Sequence, residues 1–315
     1  MPEPADHRDA RGFRNPAANV GLPTFGAVWK MLREPRSRWP RHAPVEQRKP
    51  PAREAGRTVV TWIGHSTFLI QTPAGAILTD PFFSQRASPV QWAGPRRARA
   101  PGVALADLPD LALVLLSHNH YDHCDLPALR ALARRHRRAV VVTPLGNAPL
   151  LAPLGFLGVE ELDWWQAATR APMPVTLTPA QHFSGRTPWD RNRALWGGFA
   201  FEAGGRRILF AGDSGYGPHF ADIGRRLGAP DLALLPIGAY EPRWFMRPIH
   251  VNPEEAVRAH VDLGSRRSVA MHWGTIQLTP EAMDAPPAAL AAARAAAGLA
   301  AESFVALDCG ASITL

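Results

Sequence analysis

The segment Ser117-His118-Asn119-His120-Tyr121-Asp122-His123 constrains this chain more than any other. Three histidines and an aspartate fall within the six positions 118–123. They follow Leu111-Ala112-Leu113-Val114-Leu115-Leu116, an unbroken apolar run that reads as a fully buried strand. They precede Cys124-Asp125-Leu126-Pro127, which reads as a helix start with Asp125 as N-cap and Pro127 in the first turn. The polar side chains therefore occupy a loop at the carboxyl end of a core strand, where layered α/β folds bind ligands. Imidazole together with carboxylate suits zinc or a related first-row ion. From an extended backbone His118 and His120 point the same way, while Asp122 and His123 fall past the bend and can face a second ion. A solvated loop would not need this density of ligands directly after a buried strand.

The 315 residues are enough for one large domain or two small ones, with a substantial core. No window of 18 consecutive apolar residues occurs, so no membrane-spanning helix is expected. The first residues, Met1 to Asp6, are polar and lack the apolar core of a signal peptide. Cys124 and Cys309 are too few for a disulfide framework. A cytoplasmic chain is the expectation. The formal net charge is +8, and nearly all of the positive charge is arginine, with Lys30 and Lys49 as the lysines. That excess reads either as attraction to phosphate or as an inert basic surface.

In chain order, residues 1–57 are rich in Arg and Pro and show no sustained period. They read as an N-terminal arm, partly disordered before about Asn15, with a short helix over Phe25–Leu32. Residues 58–315 read as the main domain. Short strands are expected at 58–63, 67–72 and 76–79, joined by tight turns, which suggests a mostly antiparallel sheet. His65 lies at the first strand break and reads equally as a turn histidine or a site residue. The loop 84–110 carries Arg96-Arg97-Ala98-Arg99 and reads as a solvated basic loop, a cover for the site or a phosphate-binding loop. An amphipathic helix is expected over Leu126–Arg138 and a strand over Ala139–Thr143. His182 follows a strand over Val175–Thr178, and Asp213 stands among glycines at the end of a strand over Arg206–Phe210. Taken alone, Asp213 reads equally as an Asx turn; with the other ligands it suits two metals. Leu232–Pro236 reads as a buried strand. It leads into a loop with Tyr240, Arg243, Trp244, Phe245, Met246 and His250, a lip facing substrate or lipid, or ordinary packing. Asn252-Pro253-Glu254-Glu255 starts a helix, and His272 ends a strand over Ser268–Met271. An alanine-rich helix over Ala288–Ala297 and two closing strands complete the chain.

His118-x-His120-x-Asp122-His123, then His182, Asp213 and His272 in that order, resembles the metal signature of the metallo-β-lactamase superfamily. The resemblance implies an α+β fold, an αββα sandwich of two mixed β-sheets flanked by helices. It also implies two zinc ions, or other divalent metals. His118, His120 and His182 would hold one ion, Asp122, His123 and His272 the other, and Asp213 would bridge. Phe210 to Tyr216, Pro236 to Met246, His250 to Ala256 and His272-Trp273-Gly274-Thr275 look like the branch of phospholipases D that hydrolyse N-acyl-phosphatidylethanolamine. Asn15-Pro16, Trp62 to Ser66 and Asp163-Trp164-Trp165 fit it too. The likeness runs from about residue 13 to 280; the Arg-rich loop within that span and the C-terminal helix depart from it.

The chemistry expected is hydrolysis of a phosphodiester, with Asp122, Asp213 and His250 in catalytic roles. Two ions about 3.5–4 Å apart hold a hydroxide between them near neutral pH and neutralise charge on the diester. Phospholipase D-type cleavage would leave phosphatidic acid. Tyr240, Arg243, Trp244, Phe245 and Met246 are the substrate-binding candidates, for acyl chains or for a peripheral membrane contact. The resemblance also suggests a homodimer. The rival readings are a lactonase or other carbonyl hydrolase, a nuclease, and a metal-binding protein without turnover. An apolar lip fits a small polar substrate less well, and no RNA-gripping segment is evident beyond residues 1–57, so no nucleic-acid partner is expected. The complete ligand set argues against lost activity.

Overall fold

A computed structural model describes residues 7–10, 12–16, 24–53 and 56–315. The chain opens with two short paired strands, β1 (Arg8–Asp9) and β2 (Gly12–Phe13), followed by the helix α1 (Phe25–Leu32). The expected helix in the arm is thus present over the expected residues. Within the segment before Asn15, where the sequence suggests disorder, Phe13 is buried in the main core. Residues 1–6 and 11 lie outside the described residues.

Two mixed sheets pack face to face. The first takes β3 (Val59–Gly64), β4 (Thr67–Thr72), β5 (Gly75–Thr79), β6 (Leu111–Leu115), β7 (Val140–Pro144) and β8 (Gly158–Leu162), with β15 (Ser312–Thr314) beside β3. It is antiparallel from β15 to β5 and parallel from β5 to β8. The antiparallel expectation thus holds only for the hairpin half. Beyond β5 the chain crosses over through a long loop and then helices, which return it in the same direction. Those helices are α2 (Leu126–Arg135) and the single turn α3 (Ala148–Leu151). The second sheet takes β9 (Val175–Thr178), β10 (Gly198–Ala203), β11 (Arg206–Phe210), β12 (Leu232–Pro236), β13 (Ser268–Met271) and β14 (Phe304–Val305). Helices α4 (His219–Leu227), the short α5 (Arg243–Met246), α6 (Pro253–Asp262) and α7 (Ala285–Ala296) complete the chain.

The layers explain why few strands alternate in polarity. Phe68, Ile70, Ile77, Leu113 and Leu115 face the second sheet, while Leu69, Leu78 and Val114 face the layer of Leu129, Leu132 and Leu151. Both faces are covered, so consecutive residues are apolar. On the other side Phe220, Ile223, Ala256, Val257 and Leu290 join the core shared by the two sheets. The αββα sandwich follows.

Some boundaries differ from expectation. Helix α2 stops at Arg135, three residues early, because His136 caps it and turns its ring toward the main chain of β6; the Leu111 N–H donates to its Nδ1 at 3.4 Å. Helix α7 begins at Ala285, since prolines in a first turn sacrifice no needed hydrogen bond. Strand β8 and helix α4 were not anticipated; β8 carries two consecutive glutamates, which broke the apolar pattern. The loop before His250 contains the turn α5. In the basic loop, Arg97 is buried. Its guanidinium donates to the carbonyl oxygens of Phe82, Ser84 and Arg99 and stacks on the Phe82 ring, so this arginine is structural.

Strand direction places the site. Two antiparallel steps make β3 run with β5 and β6, and likewise β9 run with β11. His65, Asp80, Ser117 to His123, His182, Asp213 and His272 all follow the carboxyl ends of these strands or of β13. The polar residues therefore collect at one rim of the sandwich.

Candidate metal centre

At that rim the histidines converge in two groups. His118 Nε2 lies 2.8 Å from His120 Nδ1, and His182 Nε2 lies 3.3 Å from the same atom. Three ring nitrogens thus point at one spot. Burial and neighbouring imidazoles disfavour the charged forms, lowering His120 to about 3; burial brings His182 to about 4. Neutral imidazole is the form that ligates a cation.

The second group gathers around Asp122 Oδ2. His123 Nε2 is 3.4 Å from it and His272 Nε2 3.6 Å. Asp213 stands between the groups. Its Oδ2 is 3.1 Å from His123 Nε2 and 3.0 Å from His272 Nε2, yet only 4.0 Å from His118 Nε2 and 3.8 Å from His182 Nε2. Burial opposes its charge, but His123 and His272 outweigh that and hold the carboxyl well below the usual range. Among the described residues, His123 Nε2, His272 Nε2 and Asp213 Oδ1 are buried without a hydrogen-bond partner. Buried polar atoms are normally paired. Orphans that face one another as lone-pair donors fit a cation, so this donor set suits divalent metal.

The supporting contacts were less legible. Asp80 ends β5 and is fully buried. Its Oδ2 lies 2.6 Å from His123 Nδ1 and accepts from Ser117 Oγ at 2.5 Å, while its Oδ1 accepts from the Ser117 N–H at 2.7 Å. Ser117 Oγ in turn lies 2.9 Å from His118 Nδ1. One carboxylate therefore fixes the ring orientation of a ligand candidate in each group, as ligand-supporting carboxylates do. The sequence pattern does not single out Asp80; its strand-end position, shared with the histidines, is the available signal. His65 Nε2 lies 2.9 Å from Asp122 Oδ2, so the structure brings it to the candidate site. Asp80, His65, Ala239 and His272 all have positive φ, between 30° and 60°. Such strain in non-glycine residues persists where the surroundings over-determine it, and it clusters at functional sites. Gly212, also at positive φ, lets the strand end approach the Gly197 carbonyl, which an added Cβ would meet at 2.7 Å.

The lip residues divide. His250, Phe245 and Met246 line a cavity of about 210 Å³ over the centre, together with His120, Asp122, His182, Asp213 and His272. Met31 of α1, Phe183, Ile249 and Leu278 add apolar walls that sequence reading did not identify. Tyr240 and Arg243 instead line a separate groove beside α6 and α7. Arg243 is held by Glu255 at 2.6 Å and donates to the carbonyls of Tyr240 and His250, so it braces the lip from behind. Trp244 is half-exposed, with its indole N–H on Glu34 and Lys30 against its ring.

We expect Asp80→Ala to weaken metal binding by roughly 10–100-fold, the usual scale for a lost ligand-supporting carboxylate. Chelator competition checks this; an unchanged affinity would remove Asp80 from the role given to it.

These features define a candidate metal centre on an αββα sandwich. A family model described as "Beta-lactamase superfamily domain" matches residues 76–273. A protein of Mycobacterium tuberculosis is 44% identical over 245 residues, 76% of this chain and 65% of its own length. N-acyl-phosphatidylethanolamine-hydrolyzing phospholipase D 1 of Caenorhabditis elegans is 40% identical over 225 residues, 68% of this chain and 63% of its own length. The chain thus spans just under two thirds of both relatives. A solved structure of a metallo hydrolase from Ignicoccus hospitalis superposes with a TM-score of 0.61 at 25% identity, covering 82% of this chain and 98% of that one. The chain belongs to the metallo-β-lactamase superfamily and is similar to an N-acyl-phosphatidylethanolamine-hydrolysing phospholipase D.

Proposed function

We propose that this hydrolase uses two divalent ions, zinc in the first instance, to cleave a phosphodiester in the phospholipase D manner. N-acyl-phosphatidylethanolamine or a related phospholipid is the substrate. The observation that carries this reading is Asp213 Oδ2, set between two groups of ring nitrogens beneath an apolar cavity. His118, His120 and His182 would hold one ion, Asp122, His123 and His272 the other, and Asp213 both. Bound there, the ions supply Lewis acidity and activate water near neutral pH.

The rest is the work of side chains. Asp122 keeps its carboxylate charged beside the histidines, although burial opposes this, and can orient attacking water by accepting a hydrogen bond from it. His250 sits 5.0 Å from the His182 ring and 5.2 Å from the His272 ring, centroid to centroid. Burial keeps it neutral, so it acts by donating a hydrogen bond to the phosphoryl group or leaving oxygen rather than by charge. Phe245, Met246, Met31 and Ile249 offer apolar contact to acyl chains and keep bulk water off the reacting phosphorus. Trp244, exposed beside Lys30, suits a headgroup at a peripheral membrane contact. No helix among the described residues is long and apolar enough to cross a membrane. A cytoplasmic location and a homodimer remain part of this reading. The C. elegans relative, by its name a phospholipase D for the same lipid, supports the substrate class.

The test is hydrolysis of N-acyl-phosphatidylethanolamine by zinc-loaded protein, beside bis(p-nitrophenyl) phosphate and a lactone, with a His120→Ala control. Lipid turnover that vanishes in the control is expected. Diester turnover without lipid turnover would discard the lipid, and turnover of the lactone alone would replace phosphodiester with carbonyl chemistry.

A further inference from the structure

The matched family model begins at residue 76, yet one side chain far upstream reaches the metal centre. Asn15 Oδ1 accepts from the main-chain N–H of His182 at 2.8 Å, and Asn15 Nδ2 donates to the main-chain carbonyl of the same residue at 2.8 Å. The amide thus pairs with His182 as a neighbouring strand would, across 167 positions of sequence. The reversed amide orientation would set donor on donor and acceptor on acceptor, so the network fixes it.

His182 needs such a partner. It lies past the end of β9, in the segment 179–184, where the ladder with β10 has ceased. Its ring is held at one further point, Nδ1 at 3.0 Å from the Ile249 carbonyl. Two contacts thus set the ring: one on its far nitrogen, one pair on its main chain. Of the ligand candidates, His118 and His123 are oriented through Asp80 and Ser117; His182 is held instead by the Ile249 carbonyl at its ring and by Asn15 at its main chain. Asn15 is itself placed by its neighbours. Phe13 is buried in the main core, and its N–H donates to the Asn192 carbonyl at 2.8 Å. Asn192 returns to the same segment, donating its own N–H to the Ser184 carbonyl at 2.9 Å. The arm is therefore stitched to both ends of the 182–192 loop.

We infer that Asn15 is a positioning residue of the hydrolase, which sets His182 against His118 and His120 and makes the N-terminal arm a part of the metal centre. The inference rests on the metal reading of the site and on nothing about the substrate. Losing the amide strips two buried main-chain groups of their partner and frees the His182 main chain to shift. A shift of a few tenths of an ångström in Nε2 is enough to spoil ligation, because ligand distances are narrow.

The experiment compares wild-type chain with Asn15→Leu, which keeps the branched shape and removes both bonds, and Asn15→Ala. Each is loaded with cobalt(II). The readouts are the visible ligand-field spectrum, affinity by chelator competition, and the metal-free melting temperature. Both variants are expected to show an altered spectrum and affinity for one of the two ions lowered about 10–100-fold, with kcat falling more than KM changes. A variant in which Ile70→Val loosens the core elsewhere gives the comparison for stability loss alone and is expected to keep the wild-type spectrum. Wild-type spectrum and affinity in Asn15→Leu would overturn the inference. So would a spectral change that Ile70→Val reproduces at equal loss of melting temperature. Wild-type chain that binds no ion would instead sink the metal reading, which separates the two failures.

Discussion

Asp213→Asn is expected to lose bis(p-nitrophenyl) phosphate turnover by a factor of about 10³ or more, while the folded chain keeps fewer than two ions. The reason is position. Asp213 Oδ2 is within 3.0–3.1 Å of ring nitrogens in one group and 3.8–4.0 Å of ring nitrogens in the other. The asparagine keeps the size and loses the charge. It also places an amide N–H₂ or a neutral oxygen against His123 and His272, whose imidazoles now face Asp213 as an anion. Metal ions supply several kcal/mol of transition-state stabilisation, and each 1.36 kcal/mol is tenfold in rate, so forfeiting one ion reaches the expected scale. Activity and metal content must fall together. Full metal content with intact turnover would mean that Asp213 neither bridges nor ligates, and would leave two independent sites.

The fold and most of the centre were legible because of where chemistry sits in a layered sandwich. His118, His120, Asp122 and His123 crowd one loop, so local density exposed them. His182, Asp213 and His272 are scattered singly, but each follows an apolar strand, and that shared placement made them readable. Asp80 has the same placement and was missed, because an aspartate before proline is also what an ordinary turn would use. The antiparallel expectation failed past β5, since strand direction is set by the crossover and not by the strand's own residues. The lip was half legible. Tyr240 and Arg243 share a loop with Phe245 and Met246, but the turn α5 sends Phe245 and Met246 over the centre and Arg243 back to Glu255. That division depends on helical phase, which a four-residue turn does not announce. Asn15 and Met31 could not be placed by any local rule, because their partners lie far along the chain, 167 positions away for Asn15, in a different part of the fold.

Stripping the metal is expected to lower the melting temperature by about 10 °C or more, reversibly on adding zinc. The ligand atoms explain the size. In the first group three lone-pair donors lie 2.8–3.3 Å apart with burial holding the rings neutral. In the second, buried carboxylates crowd His123 and His272, and atoms of both histidines lack hydrogen-bond partners. Groups that repel or go unpaired in the empty state are stabilised by a bound cation, so binding favours the folded chain alone. An ion present at about a thousand times its dissociation constant adds roughly 4 kcal/mol, and two such ions roughly twice that. In a domain of this size 1 kcal/mol moves the melting temperature by about 2 °C, which gives the expected shift. Differential scanning calorimetry before and after dialysis against a chelator, with the metal assayed, measures it. A melting temperature unmoved by verified removal of both ions would mean that the histidines and aspartates satisfy one another without metal. The cluster would then be a structural polar core, and the hydrolytic reading would need a different centre.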